Sequence, residues 1–343
     1  MTASLKRTLL GCSLLLLIAA VAGTIGGYWW LHRGGPIVDR LQLVGPQSEA
    51  FVTFIAEAGD PAVTDLSASV LRRLQAAKKE SQPEGMRFVA EFLSGAGISK
   101  DPERLFPFRA TGTIENLPGG RDEPVVTLSL GRMANLARLL LGIVDSEREK
   151  ETYRGQKIIL APGGRDFSLS LVGNNLVAAR DAGAIRLAID RLEAGEGGAR
   201  NLPEDLVRCI QGLDPGREMP GFGAIVNDKK ALATVWQIVT GAPEGAEVPL
   251  PHEFQGVGFR FKIASADSLH GEGTFYFQDE EVAAGAADAL WSGLTRAFSH
   301  FGLKPDVDVR PEGSRLEVRV DARGVQAALD RVFARLQPAP KSK

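Results

Sequence analysis

Five times between residues 126 and 332 the chain repeats one grammar: a short strand, one turn residue, then a helix. That recurrence points to a fold of repeated strand-hairpin-helix units. The strands are read at 126–130, 176–180, 223–227, 274–278 and 316–320. The residues that follow them are Gly131, Asp181, Asp228, Asp279 and Asp321, at intervals of 50, 47, 51 and 42. Asp suits that place because its carboxylate accepts hydrogen bonds from the unpaired N–H groups of a first helical turn and opposes the positive end of the dipole. The helices also share a register. Positions four, seven, eight and eleven beyond Asp181 are Ile185, Ala188, Ile189 and Leu192, and beyond Asp228 they are Leu232, Val235, Trp236 and Val239. Beyond Asp279 they are Ala283, Ala286, Ala287 and Leu290, and beyond Asp321 Val325, Ala328, Leu329 and Val332. Each set is one apolar stripe. The Gly131 helix fits with a small shift, through Leu136, Leu139, Leu140 and Ile143. The chain therefore reads either as an internal repeat or as the common grammar of strand-to-helix turns.

The strands set the expected class. Val257, Phe259, Phe261 and Ile263 alternate with Gly258, Arg260, Lys262 and Ala264, and Phe167, Leu169 and Leu171 alternate with Asp166, Ser168 and Ser170. Alternation buries one face and wets the other, as in an antiparallel sheet with helices on one side. Turn residues at 173–175, 266–267 and 312–313 separate successive runs into hairpins. The expectation is an α+β fold of repeated strand-hairpin-helix units, forming antiparallel sheets with helices packed on one face. A first strand is expected at 49–56 and helices at 66–79 and 86–93. Gly- and Pro-rich linkers at 34–36, 117–124, 195–203 and 241–251 divide the chain. The expected domains are a cytoplasmic tip and signal-anchor at 1–33, a first α+β domain at 34–245, a smaller ββαββα domain at 246–337, and a disordered tail at 338–343.

Near the N-terminus, Lys6 and Arg7 precede 24 uncharged residues, 8–31, that end in Tyr28, Trp29 and Trp30. At about 1.5 Å per residue such a helix covers a hydrocarbon core of about 30 Å. The aromatic end suits a headgroup layer, and the two leading cations favour a cytoplasmic N-terminus. The expected location is the cell inner membrane, crossed once, with the bulk of the chain on the periplasmic or extracellular side. Two rival readings keep the bulk beyond the membrane: cleavage after Ala20-Val21-Ala22 as a signal peptide, and a lipoprotein site at Cys12.

Charge narrows the partners. From Gly34 onward 37 Lys and Arg face 42 Asp and Glu, a net charge of −5 without a basic block, so no nucleic-acid partner is expected. Of two cysteines, Cys12 lies in the apolar segment and Cys209 is alone, which leaves the exported part without an internal disulfide. The 310 residues from Gly34 are enough to fold without one.

No chemical constellation emerges. His270-Gly271-Glu272 resembles a fragment of a deaminase signature, but no Pro-Cys-x-x-Cys follows. Asp306 and Asp308 lack the further oxygens that a calcium site gathers, and read as the wet side of a strand. Gly271 and Gly273 open no phosphate-cradling turn, Gly163-Gly164 and Gly197-Gly198 are turn glycines, and Ser292-Gly293 falls inside a helix. His252 and His300 have no nucleophile at a recognisable spacing. No catalytic, cofactor-binding or metal-ligating residue is therefore assigned, and no cofactor is expected.

Tyr153-Arg154-Gly155, a strand at 157–160, Leu176-Val177, Ala184-Ile185 and Ala188-Ile189-Asp190 together resemble the layout of uncharacterised membrane-anchored bacterial proteins carrying a domain of unknown function. The resemblance implies an exported protein without known chemistry. The functional expectation is a membrane-tethered, non-catalytic domain that binds or scaffolds an envelope protein. The alternatives are a carrier of lipid or another hydrophobic ligand, lined by 125–130 and 176–179, and an enzyme of unrecognised type.

Overall fold

The computed structural model describes residues 39, 41–57, 59–76, 106–118, 120–135, 137–138, 141, 148–161, 167–194, 197–211, 213, 219–226, 232–234, 248, 250–251 and 253–335. Its strands are β1 (Ser48–Ala56), β2 (Phe108–Leu117), β3 (Arg121–Ser129), β4 (Lys150–Tyr153), β5 (Gln156–Ile159), β6 (Ser168–Val172), β7 (Asn175–Ala179), β8 (Gly221–Val226), β9 (Gly256–Ser265), β10 (Ser268–Tyr276), β11 (Lys304–Glu312) and β12 (Arg315–Arg323). The longer helices are α1 (Pro61–Ala76), α2 (Ala182–Ala194), α3 (Glu204–Ile210), α4 (Glu280–His300) and α5 (Val325–Arg335). All twelve strands join one sheet in the order β11-β12-β10-β9-β8-β1-β2-β3-β7-β6-β5-β4, with antiparallel neighbours throughout.

That order is a repeat folded about its own centre. β1 and β8 pair with Val52 opposite Gly223, and the flanking pairs Phe51↔Ala224 and Thr53↔Phe222 exchange under an approximate two-fold there. Outward from this centre the register repeats. Ile55, Arg109, Ser129 and Asn175 lie opposite one another in the first half, as Val226, Gly256, Tyr276 and Arg315 do in the second. Leu130 N–H donates to Asn174 O at 2.9 Å, and Phe277 N–H donates to Ser314 O at 2.9 Å in the equivalent place. After β3 the helical residues Ala134, Ala137 and Leu141 are buried; after β10, on α4, Ala283, Ala286 and Leu290 are buried at the same spacing. The first half carries one extra hairpin, β4–β5.

Side-chain parity defines the two faces. On the upper face, α2 covers Val125, Ile158, Val177 and Ala179 through Ala184, Ile185, Ala188 and Ile189. Beside it, α3 covers Phe51, Phe222 and Ala224 through Leu206 and Cys209. On the lower face, α1 places Val63 with Phe106, Phe54, Phe108 and Ile263. There too, α4 packs on Val257, Phe275, Leu316, Val318 and Val320. Burial of these apolar groups supplies the main stabilising term, at roughly 25 cal/mol per Å² removed from water.

The expected fold class needs correction. Instead of an α+β fold of repeated strand-hairpin-helix units with helices packed on one face, a single twelve-stranded antiparallel sheet dominates a mostly β molecule, and helices lie on both faces. Strand alternation reports the two faces of one strand, but not which strands pair. In β3 and β7 both parities are apolar, with Val125 and Val177 above and Val126 and Leu176 below. β8 and β9 lie on either side of the expected boundary at 245/246, and they pair. The stretch 117–124, read as a linker, contains the β2–β3 hairpin turn. Asp279 caps α4 by accepting from Val282 N–H at 2.9 Å. Asp321 instead lies within β12, and Asp267 accepts from Gln326 N–H in the first turn of α5.

The inner-membrane, single-pass location also needs correction on the described residues, because none of their helices is long and apolar enough to cross a membrane. The expected crossing at 8–31 and the helix expected at 86–93 lie outside the described residues.

Candidate functional site

The wet upper face of β9, β10, β12 and β11 gathers the residues that sequence reading singled out. His270 Nδ1 lies 2.7 Å from Asp321 Oδ1, and its Nε2 lies 3.5 Å from Glu272 Oε1. Arg260 holds Glu272 from β9 at 2.7 Å, Arg319 reaches Asp321 at 3.4 Å, and Thr274 donates to Glu317. Burial works to raise the Glu272 carboxyl, but Arg260 and then His270 outweigh it and hold it below the usual range. Asp321 is held low by its hydrogen bond with His270 and by Arg319. Asp308 is tied to Arg310 at 2.6 Å. These charges close on one another, His270–Asp321 and Arg260–Glu272 across strands and Asp308–Arg310 and Arg319–Asp321 along one strand. Among the described residues no three His, Cys, Asp or Glu side chains gather as a metal cage would require.

A second cluster lies at the far end. The β4–β5 turn places Arg154 at φ 47° and Gly155 at φ 77°, both in the left-handed region that a tight hairpin uses. Tyr153 donates to Asp190 at 3.0 Å, and Arg154 pairs with the same carboxylate at 2.6 Å. The Arg154 and Arg186 guanidiniums each stand 5.9 Å from the Tyr153 ring centroid. Arg186 is bidentate to Glu151, whose carboxyl it holds low. Tyr153 and Arg154 thus fasten the edge hairpin to α2.

A third arrangement was not legible in sequence. Arg191 of α2 and Glu115 of β2 form a bidentate pair at 2.6 and 2.7 Å, with side chains 4% and 0% exposed. Ser48 donates to both Glu115 oxygens, and Arg191 also donates to Leu43 O. This knot ties α2, β2 and the lead-in to β1 together. Cys209 is buried against β8 and β9, and burial pushes its thiol up to about 12. His300 closes α4 and packs edge-on against Phe301, and Gly197 lies against Gln42 O and Arg191. His252, Gly163 and Gly164 lie outside the described residues.

The lower face carries exposed apolar residues. One row crosses the lower face from β9 to β6 through Phe259, Gly223, Val52, Gly112, Val126, Ala178 and Leu169, each opposite the next. In its second-half portion the Phe259 ring covers Gly223, where an added Cβ would meet its Cζ at 2.7 Å. In its first-half portion Val52 is 38% and Val126 46% exposed, on either side of Gly112. Among the described residues an added Cβ at Gly112 would meet Val52 Cγ1 at 3.5 Å, an ordinary contact distance. Phe167, 47% exposed, lies just before β6, with Arg180 over its ring at 5.9 Å. Sequence reading placed 125–130 and 176–179 as the possible lining of an apolar site, and the lower-face members of those runs lie here.

No family model, curated protein or solved structure matches this chain.

Proposed function

We propose that the protein is a non-catalytic binding or scaffolding module that engages another protein through the apolar lower face of β1, β2 and β3. The observation that carries this reading is the adjacent exposure of Val52 and Val126 across Gly112. Isolated exposed apolar side chains need no explanation, but two on one sheet row, continuing into Ala178 and Leu169, form a contiguous patch of the kind that marks interaction surfaces. The polar clusters described above support the same reading, since their charged groups are engaged with one another.

The test replaces Val126 with a photo-crosslinking phenylalanine in cells of the native host, with Arg310 on the charged face as the control position. The reading requires one recurrent protein adduct at 126 that is absent at 310, and binding of that protein, once purified, to the purified chain. Equal labelling at both positions would remove the reading. A second reading, a carrier for a hydrophobic ligand, is favoured by β3 and β7 being apolar on both parities. Organic extraction and mass spectrometry of the purified protein would end it by finding no bound lipid.

A further inference from the structure

We infer that Trp291 is a latch on the free edge of the sheet: its indole stands in for a neighbouring strand on β11 and keeps that edge from pairing with a second copy of this chain. The inference is independent of the binding reading above. It begins from the two-fold. Val172 lies opposite Asn175 as Glu312 lies opposite Arg315, so β11 is the counterpart of β6 and Val309 the counterpart of Leu169. On β6 the chain covers its own outer edge, because β5 pairs there with Ile159 opposite Leu169. On β11 the sheet ends, with no described strand beyond it.

The direction of the backbone groups shows what takes the strand's place. Glu312 and Arg315 flank the turn Gly313–Ser314, with Gly313 at φ 60°, and a hairpin loop of that length hydrogen-bonds the flanking pair. Even-numbered residues of β11 then turn their N–H and C=O groups to β12, while Pro305, Val307, Val309 and Pro311 turn theirs outward. The two prolines have no N–H to offer. Trp291 Nε1, reaching round from α4, donates to Val307 O at 3.0 Å. A neighbouring strand, about 4.8 Å away, would bring its own N–H to that spot. The ring thus takes both the acceptor and the space, and Val309 is left as the residue whose outward N–H and C=O neither a proline nor the indole removes. Trp291 is 50% exposed although its neighbour Leu290 is buried, so burial does not explain a ring at this position. The occupant excluded is self-complementary at its centre. Two antiparallel β11 strands with Val309 opposite Val309 would set Asp308 of each copy opposite Arg310 of the other.

Val309→Cys in the full-length Cys12→Ser chain tests the latch, since Cys209 is buried and a disulfide between two copies then reports pairing at this edge. Opposed residues of such a pair stand about 5.5 Å apart at Cα, within disulfide reach. Under mild oxidation the linked fraction should rise about fivefold in Trp291→Phe, the factor that one net hydrogen bond corresponds to, and further in Trp291→Ala. Pro311→Thr, which restores an outward donor, should add to either. Trp291→Phe keeps most of the ring and lacks the donor, so it carries the test should Trp291→Ala fail to fold. A cysteine placed instead by Glu193→Cys, on α2 in the other half, should show no rise. Unchanged linking at 309 in Trp291→Phe and Trp291→Ala, or an equal rise at 193, would overturn the latch.

Discussion

Cys209 shows how little of a residue's chemistry survives burial. Its thiol is enclosed by the glycine-bearing stretch of β9, where a Cβ at Gly258 would lie 1.8 Å from Cys209 O. Only the thiolate attacks, and burial pushes this group up to about 12. In a Cys12→Ser background the native protein should resist a thiol reagent at pH 8 for as long as it stays folded, and labelling should follow the unfolding curve. Rapid native labelling would show that α3 opens. Asp321 gives a pH signature. Its carboxyl is held low in the folded state, so the unfolded chain takes up that proton first as the pH drops. The stabilisation is therefore complete above the ordinary Asp range near pH 4 and is lost as pH falls through the lower folded value. The melting-temperature advantage of wild type over Asp321→Asn should be present at pH 7 and shrink steadily below about pH 4. An unchanged gap at pH 3 would contradict the His270–Asp321 contact.

Among the elements, α2 is held by two different forces, and only one was legible in sequence. Its apolar stripe through Ile185, Ala188 and Ile189 follows from a period of 3.6, and these residues are buried where that period puts them. Arg191 stands in the same helix among Asp190 and Glu193, and nothing local distinguishes it from a solvated charge; its partner is 76 residues away on β2. Pairing at that distance is decided by topology, which alternation does not encode. Removing one member of such a pair leaves a buried charge alone, at a cost of roughly 3–5 kcal/mol. Urea unfolding of Glu115→Ala should show a loss of about that size, while Arg191→Met with Glu115→Leu should recover much of it. Equal losses in single and double variants would mean the knot contributes packing alone. Of the apolar row, Val126 falls within the run 125–130 that the sequence offers as an apolar lining, whereas Val52 on β1 was hidden for a related reason. β1 and β3 are apolar on both parities, and such strands read as core until their neighbours are known.

At the scale of the whole molecule, the order of strands sets a gradient of protection. β1 and β8 lie at the centre with four helices distributed over the two faces, whereas β4 and β11 close the ends. Native-state hydrogen exchange should be slowest in β1, β2, β8 and β9 and fastest in β4 and β11. Fast exchange at the β1–β8 seam would show that the halves unfold separately. Both ends are blunted against further pairing: β4 is four residues long, and β11 carries Pro305 and Pro311, which remove two backbone donors.

The two-fold at Val52 and Gly223 carries a consequence for the gene. A reading frame ending in the connection before β8 would encode a half-sheet whose innermost strand, β1, lacks its neighbour. The partner that β8 supplies is not a copy of β1, because a Cβ in the place of Gly223 would meet Phe51 O at 2.3 Å, so glycine opposite Val52 is what lets the two strands close. Half a gene would therefore leave an open edge that only the second half, with glycine at 223, is shaped to close. The same seam joins a half whose wet face is laced with ion pairs to one that exposes Val52 and Val126.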